Sequence, residues 1–321
     1  MSSATTAVRL HQQQRVSYTG AVVGLMLRDL RVLRREIGPF IARIVMQPLL
    51  FLFVFTFLMP RIGQANDVGG PSFATILLPG LMAVAIMFCG IASVALPLSQ
   101  EFGITREIDD RVMCPLPVWA VAAEKVGFSA LQCILSALLV LPLAIWIPAT
   151  PVYFEVTNWT LFIITMILSS LVAGALGLAI GANVKPQQIG LVFSIIVVPV
   201  TFLGCVYYPW EVLSHLRWMQ IAVLVNPIVY MSEGLRAALT PGVPHMPWVV
   251  IIIALLISLA ILWAIGMRGF RRNVTGTTMI ENTRPICCGF TFAPMARPSA
   301  PATRLDKMSV ARNMAQLAIW K

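Results

Sequence analysis

The densest charge in the chain lies between Ser99 and Arg111, where Glu101, Arg106, Glu107, Asp109, Asp110 and Arg111 interrupt long apolar runs. On a helix, Arg106 stands three and four residues before Asp109 and Asp110, and Glu107 four before Arg111. Opposite charges at those spacings meet on one face. Cys114-Pro115-Leu116-Pro117 follows and ends the helix, since proline lacks an amide hydrogen and restricts the residue before it. Such a cluster offers ion pairing rather than covalent chemistry. Charges this dense cannot sit in lipid, so they mark a face that meets water or another protein. From the residues alone two readings stay open. One is a rigid, charge-paired helix that passes on the displacement of a docked partner; the other is a solvated connection whose charges keep it out of the membrane.

The chain holds no phosphate-binding Gly-x-x-x-x-Gly-Lys-Ser/Thr loop, no Gly-x-Ser-x-Gly elbow and no His-Glu-x-x-His. Its three histidines, His11, His215 and His245, are far apart. Cys89, Cys133 and Cys205 lie in or at the ends of apolar segments, where cysteine acts as a small hydrophobe. Cys114 borders the charged block, and the vicinal Cys287-Cys288 has no further ligand nearby, so no bound metal is expected.

Composition identifies the solvent around the elements that carry these charges. Hydrophobic residues are 58% of the 321, charged residues 11%, and the mean hydropathy is +0.85. Soluble domains carry roughly 25% charged residues, so an all-α integral membrane protein is expected. The net charge of +10 is then a signal of topology and of contact with anionic lipid headgroups. No basic stretch is interleaved with aromatics, and nucleic acid is not an expected partner.

Six apolar segments of membrane-crossing length are read at about 40–60, 73–98, 126–147, 159–182, 189–207 and 248–267. Several contain proline or glycine, which spans tolerate where neighbours satisfy the freed backbone. Gly174, Gly177 and Gly181 follow a small-residue spacing that permits close helix approach. With the N-terminus inside, Arg28, Arg31, Arg34, Arg35, Arg43, Arg106, Arg111, Lys125, Lys185, Arg268, Arg271 and Arg272 are cytoplasmic. Only Arg61, Arg217 and Arg236 are then outside. Twelve against three predicts six spans with both termini cytoplasmic, and the charged block with them.

Before the first span, Met26, Leu30, Leu33 and Ile37 recur at helical spacing opposite Arg28, Arg31 and Arg35. This reads as an amphipathic helix lying in the inner-leaflet interface, or as a plain basic anchor. Ala21 to Leu27 is too short for a signal sequence, runs into Arg28-Asp29 and has no cleavage site. The outer connection from Tyr207 to Pro247 is apolar but interrupted by Glu211, His215, Arg217 and Gln220. Asn226-Pro227 breaks it, and Ile228 to Leu239 reads as a second short helix with Glu233 and Arg236 at i, i+3. Two short apolar helices of this kind predict a re-entrant or outer-leaflet hairpin, packed in protein rather than exposed to lipid. Three regions are therefore expected: a cytoplasmic N-terminus over 1–39, a six-span domain over 40–272, and a disordered cytoplasmic tail over 273–321 rich in proline, serine and threonine.

The order of these features resembles the ABC-2 permease family. Leu78-Pro79-Gly80-Leu81 through Met87-Phe88-Cys89-Gly90, then Glu101 to Arg111 and Pro115-Leu116-Pro117, carry one part of the likeness. Phe202-Leu203-Gly204, Tyr208-Pro209, Asn226-Pro227-Ile228-Val229-Tyr230 and Leu235-Arg236 carry the other, within a similarity covering about 20–272. The resemblance implies a membrane subunit that dimerises and docks a separate ATP-binding subunit, with ATP and Mg bound there and no cofactor on this chain. It implies that Glu101, Arg106, Glu107, Asp109, Asp110 and Arg111 form the coupling segment. Arg28, Arg31 and Arg35 would belong to the interfacial helix, and Asn226, Pro227, Glu233 and Arg236 to the outer re-entrant helices. The tail after Asn273 departs from the pattern. A bacterial inner-membrane exporter of drugs, glycolipids or lipo-oligosaccharides is the expected function. A secondary carrier or channel working unaided is the alternative, weakened by spans that lack carboxylates.

Overall fold

Four long helices of continuous apolar sequence set the frame of the computed structural model. It describes residues 18–35, 37–58, 61, 73–101, 118–146, 156–192, 195, 198–240 and 242–282. Helix α1 spans Tyr18–Arg35. Helix α2 spans Ile37–Leu52 and continues as π-helix over Phe53–Leu58. Helices α3 (Phe73–Gln100), α4 (Val118–Trp146) and α5 (Trp159–Asn183) follow. Short helices α6 (Ile189–Val192) and α7 (Val198–Phe202) occupy part of the predicted fifth span. A 3-10 turn over Trp210–His215, α8 (Arg217–Val223) and α9 (Pro227–Leu239) form the connection between α7 and the last helix. Helix α10, Trp248–Asn282, is the last.

The described residues are all-helical, without strands, and α3, α4, α5 and α10 each contain a stretch long and apolar enough to cross a membrane. The last helix runs to Asn282, so the region expected to be tail from residue 273 begins in helix. Asn273 is part of that helix, its amide Nδ2 donating to the Ala182 carbonyl at the end of α5 (2.7 Å). The chain divides into a compact unit over 1–281 and a second over 282–321, of which only Asn282 is described.

Helix α3 is the centre of the first unit, with Leu77 to Met87 buried on all sides. It packs on α4, α5 and α9. Its approach to α5 is set by glycine: a Cβ at Gly177 would lie 2.5 Å from the Gly90 carbonyl oxygen, and one at Gly181 2.9 Å from the Ala95 Cα. In lipid no hydrophobic force draws helices together, so close backbone packing and interhelical hydrogen bonds do that work. Ser93 and Ser129 supply one such bond between α3 and α4 (2.6 Å), and Ser136 Oγ donates to the Ala85 carbonyl (3.4 Å). Helix α10 instead exposes Trp248, Ile253, Leu256, Ile257, Ile261 and Ile265.

Candidate functional site

The predicted coupling segment starts at the end of α3. Glu101 is buried, and its Oε1 accepts from Lys125 Nζ across to α4 at 2.8 Å. Glu124 is buried beside Lys125 in sequence, and Ser99 is buried with its Oγ donating to the Leu96 carbonyl (2.9 Å). Glu101 is therefore turned into the bundle as a tie between two helix ends. Arg106, Glu107, Asp109, Asp110 and Arg111 lie outside the described residues. In the sequence Lys125 marks topology; a lone lysine in an apolar run, with a glutamate at a neighbouring span end, is the signal of the pair.

Helix α1 carries Arg28, Arg31 and Arg35, all exposed. Leu25 is half-buried against the cluster of Val94, Leu98, Val121 and Val126, so α1 rests on the same ends of α3 and α4 that the Glu101–Lys125 pair joins. Met26, Leu30 and Ile37 of the predicted apolar stripe remain exposed.

The connection between α7 and α10 is built around one buried carboxylate. Glu233 and Arg236 on α9 form an ion pair through Oε1 and Nη1, both side chains fully buried. The same Oε1 accepts from the Trp210 amide (3.0 Å), and Oε2 accepts from the Met246 amide (3.3 Å). Arg236 Nη2 donates to the Cys205 carbonyl (3.1 Å). One pair thus ties α9 to the turn at 205, to the 3-10 turn and to the segment leading into α10. Burial lowers the Arg236 guanidinium from its ordinary range, and the adjacent Glu233 carboxylate opposes that shift. Arginine starts so high that it stays charged at neutral pH.

The i, i+3 spacing predicted the Glu233–Arg236 contact; Trp210, Cys205 and Met246 were not foreseen as partners. Cys205 has φ +50°, the left-handed region that non-glycine residues rarely enter. Its neighbour Val206 rests directly on α3, where a Cβ at Gly80 would lie 2.1 Å from the Val206 carbonyl oxygen. Asn226 is the N-cap of α9: its side chain accepts from the Ile228 amide (3.1 Å), and its Nδ2 donates to the Val200 carbonyl (2.6 Å). Pro227 occupies the first helical turn, where a missing amide hydrogen costs nothing. Helix α9 runs antiparallel to α5, with the Ala238 carbonyl bonded to the Thr157 amide and Gly234 against Thr165.

Between α8 and the long helices lies a cavity of about 400 Å³. Met87, Leu176, Ile180 and Leu262 form one side, and Trp218, Ala222, Val225 and Asn226 belong to the other. No group of three or more histidine, cysteine or carboxylate side chains among the described residues could hold a metal.

Residues 21–240, more than half of the chain, match the ABC-2 type transporter family. The chain belongs to that family. The ABC-2 match begins in α1 and ends after α9, so it takes in the charged segment and the connection after α7 together. Among curated proteins, the chain is 27% identical over 253 residues to the inner membrane transport permease YadH of Escherichia coli K12, covering 74% of this chain and 91% of the relative. It is 29% identical over 107 residues to the polysialic acid transport protein KpsM of Escherichia coli, covering 32% of this chain and 39% of that protein.

Proposed function

We propose that this chain is the membrane-spanning permease subunit of an ATP-driven exporter in the bacterial inner membrane. It carries an amphipathic or lipid-linked cargo outward between two permease subunits, using ATP and Mg bound by a separate ATPase. The observation that carries the reading is the unbroken family match across α1, the charged segment and the hairpin. The name and the coverage of the YadH relative support the membrane and the transport role. The apolar segments at 40–60 and 189–207 complete six spans, with 1–39 and 273–321 cytoplasmic around the 40–272 domain. Chain charge supports that orientation.

In this reading the ATPase docks on Arg106, Glu107, Asp109, Asp110 and Arg111, with the Arg28, Arg31 and Arg35 face of α1 lying alongside in the lipid interface. Helix α9 starts at depth at Asn226 and climbs beside α5, which supports the re-entrant assignment of Asn226, Pro227, Glu233 and Arg236. The test is co-purification with a candidate ATP-binding cassette ATPase subunit. Glu107→Lys with Asp109→Lys and Asp110→Lys should abolish capture while α-helical content and yield are unchanged. Undiminished capture by that triple variant would overturn the docking assignment.

A further inference from the structure

The cavity beside α8 has a composition that selects its occupant. Asn226 is the one amide among its lining residues, and that amide is already committed to Val200 and Ile228. Trp218 stands exposed among the lining residues, and the interior walls are aliphatic or thioether. A ligand with polar groups along its length would bury them unpaired there, which is costly. A hydrocarbon chain would not. The volume lies within the range of small-molecule sites.

The surroundings supply the other half of a site. Trp218, Ile221 and Val225 are among the most exposed large apolar side chains of the molecule. They form a lip that is favourable in hydrocarbon and unfavourable in water. Immediately before the lip, His215 closes the 3-10 turn and Arg217 opens α8, both exposed, with exposed Glu211 and Ser214 in the same turn. From Arg217 to Val223 the helix is about 9 Å long at 1.5 Å per residue. Arg217 beside an apolar slot gives a counter-charge for a molecule with an anionic head and an apolar tail, with the Glu211 carboxylate in the preceding turn.

We propose that this cavity holds one acyl chain of a phospholipid drawn from the outer leaflet, with the lipid phosphate at Arg217 and His215 and the chain running past Trp218 toward Asn226. The inference rests on the outer, membrane-level placement of the hairpin given above. The occupant is a lipid of the bilayer itself, so binding needs neither cargo nor ATPase.

The test uses the full chain in vesicles of phosphatidylethanolamine and phosphatidylglycerol, the latter with a photoreactive diazirine near the end of one acyl chain. No cargo, ATPase or nucleotide is present. Adducts mapped by mass spectrometry should concentrate on the peptide from Trp218 to Pro227, severalfold above those on the exposed Ile253, Ile257 and Ile261 of α10. Ala222→Trp, and separately Leu262→Trp from the opposite wall, should bring the hairpin signal down to the α10 level. Arg217→Gln should lower it severalfold. Hairpin adducts no denser than those on α10, or unaffected by either tryptophan, would show ordinary annular lipid and overturn the proposal. Because no ATPase is present, that failure would leave the exporter reading standing. Loss of ATPase docking would likewise leave the labelling unchanged.

Discussion

Replacing Arg236 by Met should loosen the connection between α7 and α10 by a predictable amount. The substitution keeps most of the side-chain volume but removes the counter-charge of a fully buried carboxylate. Breaking a buried pair by deleting one partner costs about 3–5 kcal/mol. Here the amides of Trp210 and Met246 still donate to Glu233, which favours the lower end, while the Cys205 carbonyl loses its donor. A local opening free energy reduced by about 3 kcal/mol raises the open population roughly 150-fold, at 1.36 kcal/mol per decade. Cys205 reports that opening directly, since its side chain is fully buried and its carbonyl is the Arg236 acceptor. Its alkylation rate, followed by mass spectrometry of the Cys205 peptide, tracks the open population when reclosing outpaces reaction. Arg236→Met should therefore raise that rate by about two decades by the same arithmetic. Arg236→Lys keeps the charge and loses the fork, so it should fall between. An Arg236→Met rate within a few-fold of the unaltered protein would refute the idea that this pair holds the connection closed.

Two further outcomes follow from the structure. Lys125→Met should destabilise the junction of α3 and α4, because it removes the counter-charge that stands 2.8 Å from the buried Glu101 carboxylate. The double variant Glu101→Gln with Lys125→Met should recover most of the lost thermal midpoint in detergent, and a double variant no better than the single would argue against the pair. Val225 is 88% exposed on the surface of the single chain, so what shields it must come from the surrounding lipid or a second subunit. Val225→Cys in a cysteine-free background should resist a membrane-impermeant maleimide in vesicles and react in detergent, while Ser214→Cys reacts in both; ready labelling of Val225→Cys in vesicles would make the hairpin an ordinary outer loop.

The long apolar runs were legible because hydropathy acts over whole turns. The expected segments at 73–98, 159–182 and 248–267 fall inside helices Phe73–Gln100, Trp159–Asn183 and Trp248–Asn282. Helix α4 begins at Val118 rather than near 126 because Glu124 and Lys125 are taken into the protein. Hydropathy alone reads those charges as the edge of a span. Helix α10 outlasts its apolar stretch for a related reason. Nothing from Arg268 to Asn282 forbids a helix, and the first proline after it is Pro285. The Glu233–Arg236 contact was visible in its spacing. Its burial was not, since Trp210 lies 23 residues before Glu233 and Met246 13 after. The cavity was equally hidden, because α3, α5, α8 and α10 each contribute only a few of its walls.

The central claim is that this chain moves cargo only with energy delivered by another subunit. It is tested most directly by reconstituting the chain in vesicles with and without an ATP-binding cassette ATPase that co-purifies with it and following efflux of a fluorescent amphipathic cargo. Efflux should require the ATPase and hydrolysable ATP together and should ignore imposed proton or sodium gradients. Gradient-driven efflux by the chain alone, with no ATPase or ATP present, would contradict the account.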